Sequence, residues 1–210
     1  MGLISDLKSF KIGDSEVYLW NHESIDIEQY YHILNSQEYA RFKEFKHPNR
    51  RRDYIATRLL FNHLFQGEKI RYNENRAPFI ENGPQISISH CSNIAAIALN
   101  HNHEIGLDIE FPRNKVIQLY RKFLSEDEVK HFNTSDVNEL TKVWSAKEAL
   151  YKLSGRKGII FKEELLLSKQ DPERWIGQII GSEKTILVKL NIFESDGLII
   201  SINNEAPRHL

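Results

Sequence analysis

A chain of 210 residues, 40% of them hydrophobic, has apolar material for one large core or two smaller ones. Its 28 basic and 29 acidic side chains leave a formal net charge of −1, which argues against a dedicated nucleic-acid binder while allowing a local basic patch. The single cysteine, Cys91, excludes an intrachain disulfide, and no stretch reads as a signal peptide or a membrane-crossing helix, so a cytoplasmic protein with no membrane partner is expected.

In chain order, residues 17–20 read as a strand and residues 25–34 as a short helix. Ser36 with Glu38 predicts the N-cap of a helix running to Phe45. A long helix is expected from Pro48 to Phe65, with Ile55, Leu59, Leu60 and Leu64 on helical spacing and Gly67 ending it. Residues 73–84, rich in Asn, Pro and Gly, read as a loop, and residues 86–90 and 94–99 as paired strands around a Cys-Ser-Asn turn. A strand over 105–111 stops at Pro112, and Ser125 with Glu128 forms a capping box that opens a helix. Residues 139–153 predict a helix closed by Gly155, followed by strands over 175–180, 184–193 and 198–202.

The order of elements repeats. A single shift of 89 positions lays Leu19 on Asp108, Ser36 on Ser125, and Tyr54 on Val143. The expected fold is therefore α+β, a pseudo-dimer of two similar halves over residues 1–102 and 103–210. The acidic positions Asp108, Glu110 and Glu148 meet Leu19, Asn21 and Leu59 in the first half. A metal site, if present, would be supplied by the second half alone, and one active site between the halves is the economical reading.

Asp108 and Glu110 point to one face of a strand, because side chains alternate. Two such carboxylates repel unless a cation lies between them, and hard oxygen ligands suit magnesium; spacing alone fits an edge strand with a solvated acidic face equally. In the helix at 139–153, Val143, Ala146, Ala149, Leu150 and Leu153 form an apolar arc. Thr141, Ser145, Glu148 and Lys152 share the narrow gap that remains, and Lys142 and Lys147 break the division. Such a strip fits a buried helix lining a wet cavity, or an exposed Glu-to-Lys pair. His90, at a strand end beside Ser89, can reach a phosphate or satisfy a neighbouring carbonyl. Cys91 faces away from His90 in a continuing strand, so the two make no nucleophile–base pair. Lys43, Lys46, His47 and Arg50 to Arg52, with Arg58 further along the helix, form either a solvated basic stretch or an anion site.

Two segments taken together, Ile105-Gly-Leu-Asp-Ile-Glu110 and Trp144-Ser-Ala-Lys-Glu-Ala-Leu-Tyr-Lys152, in this order after Ser87-Ile-Ser-His90 and before Gly155, resemble the 4′-phosphopantetheinyl transferases of the two-half type. The resemblance covers residues 36 to 155 well and the remainder by element order. It implies transfer of the phosphopantetheine arm of coenzyme A to a serine of an apo acyl or peptidyl carrier protein, by a monomer. It implies magnesium on Asp108, Glu110 and Glu148, and Lys152 at the coenzyme A diphosphate, with Glu148, directly or through a metal-bound water, as the base. Ser89, His90, Arg58 and, more loosely, Arg41 match coenzyme A contacts, and Glu128 matches a family glutamate. The family often has Gly-Lys-Pro where this chain has Arg76-Ala-Pro78, so Arg76 stands in for a lysine from one residue earlier. Two other readings stay open, a different magnesium-dependent nucleotide phosphotransferase and a non-catalytic carrier-binding module. The first is weakened by the lack of a Gly-x-x-x-x-Gly-Lys-Ser/Thr loop, the second by the presence of all three carboxylates.

Overall fold

The computed structural model describes residue 4, residues 6–24 and residues 26–210. Strands β1 (Leu7–Ile12) and β2 (Ser15–Asn21) form an antiparallel hairpin that turns at Gly13, whose φ of 58° a side chain would resist. A 3₁₀ helix, Ile27–Ile33, takes the place of the expected α-helix over 25–34, of which residue 25 lies outside the described residues. Helix α1 (Ser36–Glu44) is capped by Asn35 and not by Ser36. Asn35 Oδ1 accepts the Glu38 N–H at 2.9 Å while the Glu38 carboxylate accepts the Asn35 N–H at 3.2 Å. The reciprocal box needs its glutamate three residues past the cap, and from Ser36 the count falls one short.

Helix α2 (Pro48–Leu64) places Pro at its first turn, where the missing N–H does no harm. Ile55, Leu59 and Leu60 are buried and Leu64 half-buried, against Trp20, Ile86 and Ile97 of the first sheet. After α2 comes a two-stranded ribbon, β3 (Arg71–Tyr72) with β4 (Pro78–Phe79), of which β4 falls within residues 73–84, expected as a loop. Then β5 (Gln85–Cys91) and β6 (Ile94–Asn100) pair as predicted, and the first sheet runs β1-β2-β6-β5.

The second half begins with β7 (Leu107–Glu110), followed by helices α3 (Lys115–Phe123), α4 (Glu128–His131), α5 (Val137–Ser154) and α6 (Phe161–Glu164). The strands β8 (Leu165–Lys169), β9 (Arg174–Ile180), β10 (Thr185–Ser195), β11 (Leu198–Asn203) and β12 (Arg208–His209) complete it. The second sheet runs β7-β11-β10-β9-β8, with β12 beside β10. The Ser125–Glu128 capping box is present, yet it opens only the four residues of α4. Helix α5 closes at Gly155, whose φ of 60° is the left-handed value a helix end favours.

The result is the expected α+β class, layered as helix, sheet, sheet, helix. Val17, Leu19, Ala96 and Ala98 of the first sheet meet Leu107, Ile109, Ile200 and Ile202 of the second in one apolar layer. α2 covers the outer face of the first sheet, and α5 covers the outer face of the second with Val143, Ala146 and Leu150. Neighbour order is alike in the two sheets: β2-β6-β5 in the first, β7-β11-β10 in the second. At Gly106 a Cβ would run into the Ala149 carbonyl and the Leu153 side chain. Only glycine lets the chain enter β7 so close to α5, and this approach sets β7 beside the polar strip of that helix. No described helix is long and apolar enough to cross a membrane.

Candidate active site

The edge of β7 meets β5. Alternate side chains of β5 accept alternate N–H groups of β7: Ser87 Oγ from Leu107 at 2.9 Å, Ser89 Oγ from Ile109 at 3.3 Å, and Cys91 Sγ from Phe111 at 3.4 Å. Asp108 and Glu110 reach back to the same row. Ser89 donates to Asp108 Oδ1 at 3.0 Å, and the Cys91 thiol lies 3.6 Å from Glu110 Oε2. Burial holds the Cys91 thiol above its ordinary range, which suits a structural sulfur better than a nucleophile.

Helix α5 lays its polar strip on this edge. Thr141 and Ser145 are buried; Thr141 returns its hydroxyl to the Val137 carbonyl, and nothing among the described residues bonds Ser145 Oγ. Lys152 passes over its i−4 neighbour Glu148 and binds the strand instead, donating to Asp108 Oδ1 at 2.9 Å, Ser89 Oγ at 3.0 Å and the Leu107 carbonyl at 2.7 Å. The strip is therefore neither a solvated face nor a simple i,i+4 pair. Burial, and then the Asp108 carboxylate, push Glu148 up to about 7. Burial and Asp108 likewise raise Glu110. Among the described residues nothing bonds the buried Asp108 Oδ2. An orphaned carboxylate oxygen with two neighbouring carboxylates held above their ordinary range is a donor set that a hard divalent cation would relieve. The three are neighbours without forming a cage: among the described residues no three His, Cys, Asp or Glu side chains gather closely enough to enclose an ion.

The sign of the Glu148 effect is testable without any ligand. A carboxyl raised from 4.5 to about 7 binds its proton more tightly in the folded chain. Its contribution to stability is fully present below pH 4.5 and is lost as pH rises through about 7. In chelator, wild type is expected to lose about 1–3 kcal/mol relative to Glu148→Gln between mildly acidic and mildly basic pH, read by urea melts. Parallel pH profiles for the two proteins would contradict the shift.

Lys147, an exception in the sequence pattern, is fully buried. Its ammonium donates to Glu128 Oε2 at 2.7 Å and to the Phe123 carbonyl at 2.6 Å. The same carboxylate takes the Ser125 N–H at 2.8 Å, and its other oxygen takes the Leu167 N–H at 2.8 Å. Glu128 thus ties α4, α5 and β8 together and stands apart from the carboxylates on β7.

Beside Lys152 opens a cavity of about 580 Å³. Arg41, Arg58, Arg76, His90 and Lys152, five of the predicted coenzyme A contacts, line it. Ser89 is not among its lining residues; its hydroxyl is engaged by Asp108, Ile109 and Lys152. His90 Nδ1 is 3.4 Å from Asp53 Oδ2, a partner not singled out in the sequence. Arg76 holds a φ of 67° between β3 and β4. Arg58 is almost buried and already engaged: its guanidinium lies 3.5 Å from the Tyr54 ring centre, donates to Tyr72 Oη at 3.0 Å and pairs with Glu38 at 3.2 Å. The i,i+4 spacing of Tyr54 and Arg58 signals the stacking; the Glu38 contact, twenty residues away, has no local signal.

Comparison with known proteins gives one consistent answer. Residues 104–188 match the family model of the 4′-phosphopantetheinyl transferase superfamily. The chain is 27% identical over 173 residues to "4′-phosphopantetheinyl transferase HetI" of Nostoc sp., covering 71% of this chain and 73% of that protein. It is 26% identical over 145 residues to "Putative 4′-phosphopantetheinyl transferase slr0495" of Synechocystis sp., covering 60% of this chain and 59% of that protein.

Proposed function

We propose that this chain, which belongs to the 4′-phosphopantetheinyl transferase superfamily, moves the phosphopantetheine arm of coenzyme A onto a serine of an apo acyl or peptidyl carrier protein and releases 3′,5′-ADP. Lys152 carries the reading: it stands in the wall of the cationic cavity and is bonded to Asp108 at the carboxylate group. A nucleotide whose phosphates fill the cavity therefore brings its diphosphate to the carboxylates.

In this reading the serine oxygen attacks the β-phosphorus of coenzyme A. A new P–O bond forms, the bond to the bridging oxygen of 3′,5′-ADP breaks, and the serine proton is taken up. Phosphoryl chemistry of this kind depends on positioning and charge neutralisation. Asp108, Glu110 and Glu148 would hold magnesium, whose charge offsets that of the diphosphate. Lys152 stabilises the charge that grows on the departing phosphate. Glu148 takes the serine proton, itself or through a water it orders. The two-half division at 1–102 and 103–210 and a monomeric state belong to the same reading. The exposed Lys43, Lys46 and Arg50 offer a docking face to an acidic carrier, in which case transfer slows as salt rises.

His90→Ala is expected to weaken coenzyme A binding by about 1–3 kcal/mol in isothermal titration, since a charge-assisted phosphate contact is lost. Arg58→Ala is expected to weaken binding and also to lower the melting temperature, because Tyr54, Tyr72 and Glu38 all lose their partner. Unchanged affinity in both variants would move the phosphate site elsewhere. The proposal as a whole is tested by the appearance of 3′,5′-ADP, which should require coenzyme A, a divalent cation and apo-carrier together. Release without the carrier would point to hydrolysis instead.

A further inference from the structure

The row of bonds between β5 and β7 gives Ser89 a role different from that of its neighbour His90. Ser87 and Cys91 occupy equivalent places along the seam, but of the three only Ser89 touches both Lys152 and Asp108. Its hydroxyl donates to Asp108 Oδ1 at 3.0 Å and accepts from Ile109 N–H at 3.3 Å and from Lys152 Nζ at 3.0 Å. A serine hydroxyl has one proton and two lone pairs, so these three bonds use its capacity. Ser89 is 5% exposed and is not among the residues that line the cavity. It has neither a free donor nor an approach to offer a phosphate.

We infer that Ser89 is a positioning residue and not a coenzyme A contact. Resting on the transfer reaction proposed above, its hydroxyl fixes the ammonium of Lys152 against Asp108 and pins that strand edge through the Ile109 N–H. Without it, Lys152 keeps the Leu107 carbonyl at 2.7 Å and Asp108 Oδ1 at 2.9 Å but loses the third anchor that sets its direction. The ammonium then has room to swing along the β7 edge, away from the place where the leaving phosphate gathers charge. The loss should therefore fall mainly on the chemical step, because Arg41, Arg58, Arg76 and His90, which also line the cavity, stay where they are.

The test compares Ser89→Ala, Ser89→Cys and Ser89→Thr with wild type. Cysteine nearly preserves volume but bonds weakly, and threonine preserves the hydroxyl. In Ser89→Ala and Ser89→Cys, kcat for transfer is expected to fall about 10–100-fold, as for loss of an orienting partner, with recovery in Ser89→Thr. Coenzyme A Kd by isothermal titration should stay within about twofold of wild type in all three. A Kd about tenfold weaker in Ser89→Ala with kcat retained would make Ser89 a phosphate contact and overturn the inference. Unchanged kcat and unchanged Kd would overturn it too, as would loss of the folded circular dichroism signal in both Ser89→Ala and Ser89→Cys, which would make the seam purely structural. Wild type that binds coenzyme A but modifies no carrier would instead refute the proposed function, so it is measured first.

Discussion

Asp108→Asn and Glu148→Gln are each expected to fold normally and to transfer at a rate lower by about 10³-fold or more, the scale at which electrostatic groups of a reaction centre act. Each substitution removes charge while keeping shape. At Asp108 the lost charge is the partner of Lys152, at 2.9 Å, and the orphaned Oδ2 becomes part of a neutral amide that holds a divalent cation far more weakly than a carboxylate does. At Glu148 the lost charge is the one that burial and Asp108 resist most. Its removal should raise the stability of the metal-free protein even as it removes activity. Opposite movement of stability and turnover in one variant is hard to produce by damage to the fold. Turnover and urea melts measured on the same preparations decide the matter. Near-normal rates in either folded variant would sink the assignment of these carboxylates.

Lys147→Ala should act on stability at a comparable scale. The pair with Glu128 is buried on both sides, with side-chain exposures of 0% and 5%. Burial pulls the Lys147 pKa down and Glu128 pulls it back, so the ammonium is held by its partner. Truncation leaves the Glu128 carboxylate in the interior with two N–H donors and no counter-charge, at about 3–5 kcal/mol. Against a total stability of about 5–15 kcal/mol, that is enough to populate the unfolded chain under mild denaturant. The double variant Glu128→Gln with Lys147→Met removes both charges and should recover much of the loss. A Lys147→Ala protein within about 1 kcal/mol of wild type would mean that water reaches the pair.

The carboxylates were legible because local periodicity exposes them. A helix buried on most of its circumference leaves a narrow polar strip, and Glu148 and Lys152 fall in it. Period-two alternation likewise put Asp108 and Glu110 on one face. The same local reasoning could not see where Lys152 turns, since its partners Asp108 and Ser89 lie 44 and 63 residues away. It read Lys147 as an irregularity because Glu128, 19 residues back, supplies the counter-charge. Strand β1 escaped notice as an edge strand of six residues in which Lys8 and Lys11 blur the alternation. Helix α3 was missed although Val116, Tyr120 and Phe123 lie on helical spacing, its nine residues being close to the shortest pattern that periodicity can resolve. Ser89 shows the reverse case. A motif groups it with the coenzyme A contacts, and its bonds to Asp108, Ile109 and Lys152 come from residues 19 to 63 positions away that no local pattern signals.

The most direct measurement is the intact mass of a carrier. A panel of fatty-acid, polyketide and peptide apo-carriers is incubated with this protein, coenzyme A and magnesium, alongside chelator controls. At least one carrier is expected to gain the mass of a single phosphopantetheine arm on one serine, with 3′,5′-ADP in equal amount and no gain in chelator. No mass gain on any carrier, with metal and coenzyme A verified, would contradict the account.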